Sequence, residues 1–157
     1  MVDIVDQATR SRMMSGIQSK DTAPEIQIRR ALHRAGFRYR LHARDVPGRP
    51  DIVLPRYRAA VFVNGCFWHG HDCALFKMPG TRQNFWATKI GRNRLRDIEV
   101  RTQLTECGWR CVTVWECAIR GPHRIGVEET VYRLAAWIRD MTSSSLDLRG
   151  TLAKEVA

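Results

Sequence analysis

Three short apolar runs, "DIVLP" (51–55), "AAVFV" (59–63) and "RCVTVWE" (110–116), alternate with helix-length amphipathic stretches in a chain of 157 residues. That alternation admits few packings, because each apolar strand face must be covered by a helix. A weaker run, "RYRLH" (38–42), comes first, and the turn-rich "VPGRP" and "PRYR" separate it from the next two. Residues 51–55 and 59–63 therefore read as a hairpin.

The helices carry their own punctuation. In "DTAPEIQIRRALHRAGF", Thr22 can cap, Glu25 follows three residues later as in a capping box, and Gly36 marks a stop just past Ala35. A second helix is expected from about Arg92 to Glu106, with Leu95, Ile98 and Leu104 on one side and Gly108 beyond its end. "VEETVYRLAAWIRDM" supplies a third, and Trp109, Trp115 and Trp137 are expected in the core. The expected fold is α/β, a central mixed sheet with helices on both faces, in one domain large enough to bury a core without disulfides. Residues 142–157, "TSSSLDLRGTLAKEVA", read as a flexible tail.

Charge narrows the partner. The net charge is +10, and residues 1–110 hold 20 Lys/Arg against 10 Asp/Glu while 111–157 hold 6 against 6. Of the 26 basic residues 22 are Arg, whose planar fork suits phosphate. A polyanion such as nucleic acid is the expected partner. The competing readings, a solubilising surface or attraction to a membrane surface, lack a long basic amphipathic helix. The first residues, "MVDIVDQATRSRMM", show no apolar signal region and no run approaches a membrane span, so the expected location is the cytoplasm. In that reducing compartment the five cysteines, 66, 73, 107, 111 and 117, are thiols or metal ligands.

Two places carry chemistry. "PGRPDIVL" delivers Asp51 at a strand entry held extended by Gly and Pro, where a carboxylate in a basic protein suits Mg²⁺ beside a phosphate. The alternative is an ordinary turn aspartate. "NGCFWHGHDC" (64–73) crowds Cys66, His69, His71 and Cys73 around Phe67 and Trp68, a pair that in most proteins is core.

The order of Glu25 on a helix followed by an acid-bearing hairpin resembles the restriction-endonuclease-like nucleases, the PD-(D/E)xK superfamily. "RPD" matches its Pro-Asp half, but "AVFVNG" on the next strand has neither the usual carboxylate nor the lysine. More specifically, "RSRMMSGIQSKDTAPE", "PGRPDIVL", "VFVNGCFWHGHDC" and "GWRCVTVWECAIRG" closely resemble the very-short-patch repair (Vsr) endonucleases, in order over residues 8–121.

That resemblance implies a Mg²⁺-dependent enzyme with a structural zinc that nicks DNA 5′ of the thymine in a T:G mismatch left by deamination of 5-methylcytosine. It implies Cys66, His71, Cys73 and Cys117 as zinc ligands, Asp51 and the Val63 main-chain carbonyl as Mg²⁺ ligands, and His69 as general base. Asp97 matches the partner that orients His69, against the alternative of an i,i+4 pair with Arg101. Glu25 would orient water or a second metal, against a purely capping role. Phe67, Trp68 and Trp86 would enter the DNA stack, and a DNA-contacting arm at residues 1–20 would carry Met14 into the opposite groove. The endonuclease domain would span 21–141. The partner would be double-stranded DNA with a T:G mismatch, joined by mismatch-repair proteins, and the protein would act as a monomer at the nucleoid. Asn64 stands where the family commonly has histidine, and Cys107 and Cys111 remain as buried small hydrophobes. The rival readings are a zinc-stabilised DNA-binding module without catalysis and a restriction endonuclease of the same fold.

Overall fold

The computed structural model describes residues 21–151. The expected arm at 1–20, with Met14, and the last six residues of the expected tail lie outside the described residues. In chain order the elements are α1 (Ala23–Arg34), β1 (Arg40–Leu41), β2 (Ile52–Leu54), β3 (Ala59–Asn64), α2 (Gln83–Glu106), β4 (Arg110–Trp115), α3 (Val127–Arg139) and β5 (Ser145–Leu148). The strands form one mixed sheet in the order β1-β2-β3-β4-β5. The first two pairings are antiparallel, including the expected hairpin, and the last two are parallel.

Strand alternation divides the core. Ile52, Leu54, Val61, Val112 and Val114 face one way, against Ile28 and Leu32 of α1 and Leu134 and Ile138 of α3. Val53, Ala60 and Cys111 face the other way, against Leu104 of α2. The central strands β2, β3 and β4 thus bury both faces, which is why these runs are uniformly apolar. Among the described residues no helix is long and apolar enough to cross a membrane.

Helix ends follow the punctuation. The Thr22 hydroxyl accepts the Glu25 N–H at 3.4 Å, while Glu25 reaches past the cap to accept the Asp21 N–H at 3.0 Å. Gly36 (φ 99°) and Gly108 (φ 79°) both close their helices, with the following residue donating back to Leu32 and Leu104.

Five expectations are corrected. Helix α2 begins at Gln83, not near Arg92, because Arg82 at its N-terminus makes no side-chain capping bond and so gives no start signal. Its inner face carries Trp86, Ile90 and Leu104, leaving Leu95 and Ile98 64% and 55% exposed. The stripe was misread because Asn93 and Asp97, polar residues on that same inner face, turn to a cleft rather than to the core. Residues 145–148 are not tail but the sheet's last strand: Leu148 is buried, and "SLDL" is too short for its alternation to stand out. The buried Arg110 holds the approach to that strand by donating to main-chain carbonyls of Trp137, Ile138, Asp140 and Ser143. Cys107 is exposed, whereas Cys111 is buried as expected, with its thiol pushed up to about 11 by that burial. Of the three tryptophans expected in the core only Trp137 is buried; Trp109 lies under Arg58, and Trp115 has another partner.

Candidate active site and metal centre

The ends of β2 and β3 open into a cleft of about 1050 Å³ whose walls include Asp51, Val63, Asn64, His69 and Asp97. Asp51 lies one residue before β2, and its Oδ2 accepts the Val63 N–H at 2.7 Å. Within an extended strand the N–H and C=O of one residue leave by the same edge. The Val63 carbonyl is therefore directed toward the Asp51 side. Burial pushes Asp51 up to about 6; the Val63 hydrogen bond opposes this, and the charge of Glu25 adds to it. Such a carboxylate gains from a nearby cation.

Glu25 is 2% exposed, and burial raises its proton affinity as well. Its Oε1 lies 3.1 Å from His42 Nε2 and 3.5 Å from Arg29 Nη1. A buried carboxylate from the helix thus stands behind the half-buried carboxylate from the hairpin.

Across the cleft, His69 Nδ1 lies 2.5 Å from Asp97 Oδ2. A carboxylate there accepts from Nδ1–H, which leaves Nε2 as the proton acceptor. The ring also meets the edge of Trp115, with centroids 5.9 Å apart. Asn93, one helical turn before Asp97, donates to the Trp68 carbonyl at 2.8 Å and so fixes the loop that carries His69.

Cys66, His71, Cys73 and Cys117 form a second centre, their ligand atoms all within 4.8 Å of one another. Three come from the loop after β3, and Cys117 comes from the short 3₁₀ turn after β4. Because those strands are parallel neighbours, their ends meet at the same side of the sheet. Cys117 takes a hydrogen bond from Cys66, which holds Cys117 down at about 5 and pushes Cys66 up. Burial lowers His71, keeping its imidazole neutral, and Trp115 stacks on it at 3.9 Å with an interplanar angle of 7°. Three thiols and an imidazole gathered in a four-donor cluster make a fit metal site. The C-terminal segment closes over it: Gly150 N–H points to Cys117 Sγ at 3.4 Å, and Arg149 pairs with Asp72 at 2.7 Å. A Cβ at Gly150 would fall 2.5 Å from the Cys117 carbonyl, so only glycine fits.

Phe67 and Trp68 are half-buried and pack edge to face, 5.2 Å apart, on Trp86, which lies 5.3 and 6.0 Å from them. Trp86, expected to enter the DNA stack, is only 7% exposed and sits beneath the pair as a platform. Lys89 lies 5.3 Å over Trp68, and the exposed Phe85 extends the patch under Arg82.

Comparison with known proteins identifies the family of the chain. The family model for DNA mismatch endonuclease Vsr matches residues 2–75. The chain is 44% identical over 151 residues to DNA mismatch endonuclease Vsr of Escherichia coli (strain K12), covering 96% of this chain and 97% of that protein. The chain belongs to the Vsr DNA mismatch endonuclease family. Two further relatives are named as type II nicking enzymes: V.XorIIP of Xanthomonas oryzae pv. oryzae, 44% identical over 76% of this chain and 88% of its own, and V.NmeAIP of Neisseria meningitidis serogroup A, 40% identical over 89% and 99%. In this Vsr chain the structure gathers the two groups that sequence reasoning separated, Asp51 with Val63 and His69 with Asp97, along one cleft, and places the four Cys/His residues together beside it. Sequence reasoning missed His42, Asn93 and Trp115. Asn93 was accessible, since it lies four residues from Asp97 on the same helical face; the other two depend on strand register.

Proposed function

We propose that the chain is a Mg²⁺-dependent DNA endonuclease that nicks one strand 5′ of the thymine in a T:G mismatch arising from deamination of 5-methylcytosine. The observation that carries the reading is the cleft itself, with a cation-seeking carboxylate on one wall and a carboxylate-oriented imidazole on the other. Asp51 and the Val63 carbonyl would hold Mg²⁺, and the restriction-endonuclease-like reading of the fold rests on the same pair. When bound, that ion supplies positive charge to the attacked phosphate and its water. His69 Nε2 takes the proton from water, and Asp97 keeps Nδ1 protonated and the ring aimed. Asn64 offers hydrogen bonds but no charge. Glu25 orients water from the buried side.

The Cys66, His71, Cys73 and Cys117 cluster is read as structural zinc, because four protein donors leave no open position. It clamps the loop that carries both His69 and the aromatic pair. Phe67 and Trp68, seated on Trp86, wedge beside the weakly paired mismatch, where unstacking costs only a few kcal/mol. Met14, on an arm formed by residues 1–20, probes the opposite groove. The basic surface holds the phosphates. The protein acts in the cytoplasm as a monomer on nucleoid DNA, in company with mismatch-repair proteins.

Nicking of a T:G duplex, a matched duplex and a restriction-type site, each with and without Mg²⁺, tests the reading. The expected result is a single nick in the thymine strand of the mismatched duplex alone. Binding without nicking would support a DNA-binding module, and double-strand cleavage of matched DNA a restriction enzyme.

A further inference from the structure

His42 stands outside the roles assigned so far, yet it touches both halves of the carboxylate site. It follows β1 and continues the β1–β2 ladder by one step, its N–H donating to the Asp51 carbonyl at 3.2 Å. Its backbone then turns into the left-handed region, φ 48°, which a side chain with a Cβ seldom adopts. That turn swings the ring toward α1. There Nε2 lies 3.2 Å from Asp21 Oδ1 and 3.1 Å from Oε1 of the buried Glu25. Oε1 finds no hydrogen bond of good angle, so its nearest cationic or N–H groups are this ring and Arg29 at 3.5 Å. The ring's hydrogen bond is to Asp21, and the Glu25 oxygen sits beside the same nitrogen at ion-pair distance. Arg29 meets Asp21 at 2.6 Å and so is already engaged.

We propose that His42 is a positioning residue of the nicking reaction: its ring holds the Glu25 carboxylate while its main chain holds the strand entry bearing Asp51, fixing the two acids relative to each other. This rests on the endonuclease reading above. Left-handed conformations of ordinary residues persist where the surrounding structure over-determines them, and functional sites are where they gather. Here the determinants are the ladder bond on one side and the carboxylates on the other.

The test is nicking of a T:G duplex in Mg²⁺ by the parent, His42→Leu, His42→Gln, Glu25→Gln and the double variant Glu25→Gln/His42→Leu, with kcat, KM and thermal melts for each. Leu removes the N–H, whereas Gln returns an N–H at similar reach. His42→Leu should lose about tenfold to a hundredfold in kcat, the usual cost of losing a partner that orients a functional group, with KM unchanged. His42→Gln should recover most of that loss. In the Glu25→Gln background, His42→Leu should cost nothing further, since coupled residues are non-additive. Multiplicative losses in the double variant, full activity in His42→Leu, or no recovery by Gln would each overturn the proposal. So would a rate loss that merely follows a fall in melting temperature. A parent chain that fails to nick the duplex would overturn the endonuclease reading itself, before position 42 is compared.

Discussion

Asp51→Asn should make the Mg²⁺-free protein more stable, and the gain should depend on pH in a defined direction. Burial raises the Asp51 pKa from 3.8 to about 6 in the folded chain. A raised folded value means that the protonated acid's contribution is complete below about pH 4 and is lost as the pH rises through 6. Well above pH 6 the gap between the two values corresponds to about 3 kcal/mol of lost stability. Asparagine keeps the shape and can still accept the Val63 N–H, but never ionises. For a domain of this size, about 3 kcal/mol corresponds to roughly 6–12 °C in Tm. In buffer without Mg²⁺, thermal melts of parent and variant should coincide near pH 4, separate through pH 6, and differ by that amount at pH 7.5. Added Mg²⁺ should raise the parent alone, because a ligand that binds only the folded state stabilises it. A difference that is constant with pH, or a variant less stable than the parent at pH 7.5, would refute the burial argument.

His69→Ala should reduce nicking by about 10²–10⁴-fold while mismatch binding and zinc content stay unchanged, and Asp97→Asn should give a smaller loss, both read by single-turnover cleavage. Cys117→Ala should release zinc and lower Tm, because metal binding and folding are coupled, whereas the exposed Cys107→Ala should change neither by metal analysis and melts. Phe67→Ala and Trp68→Ala should melt close to the parent but lose about 1–3 kcal/mol of the preference for T:G over matched duplex, measured by binding at fixed salt. Trp86→Ala should differ, costing about 3–5 kcal/mol of stability, because the platform is buried.

The central strands were legible because β2, β3 and β4 are buried on both faces, which makes their apolar runs continuous and bounded by turn residues. Helix ends marked by Thr22, Gly36 and Gly108 were legible for a similar reason: each residue answers a local backbone need. The start of α2 has no such residue. β5 was hidden because what makes it a strand is remote, the parallel register with β4 and the Arg110 side chain reaching across to the loop before it. Neither leaves a trace in four residues of local pattern.

The site divides along the same line. Cys66, His71 and Cys73 announce themselves because three metal-capable side chains rarely crowd one loop by chance, whereas Cys117 was named only through the family resemblance, and the strand pairing that brings β4's end beside β3's is what places it with them. The aromatic pair was harder, since half-buried rings on a buried tryptophan look the same in sequence as core. Hardest was α2, where Asn93 and Asp97 interrupt the inner stripe and shift its apparent apolar face onto Leu95 and Ile98. That error is informative. A helix of 24 residues whose buried face is apolar at both ends and polar in the middle lines a cleft with its middle, because a polar group turned inward needs a partner and finds it there. The misplaced periodicity and the carboxylate that meets His69 are therefore one observation: the departure from a regular core stripe marks where the core gives way to the cleft proposed as the active site.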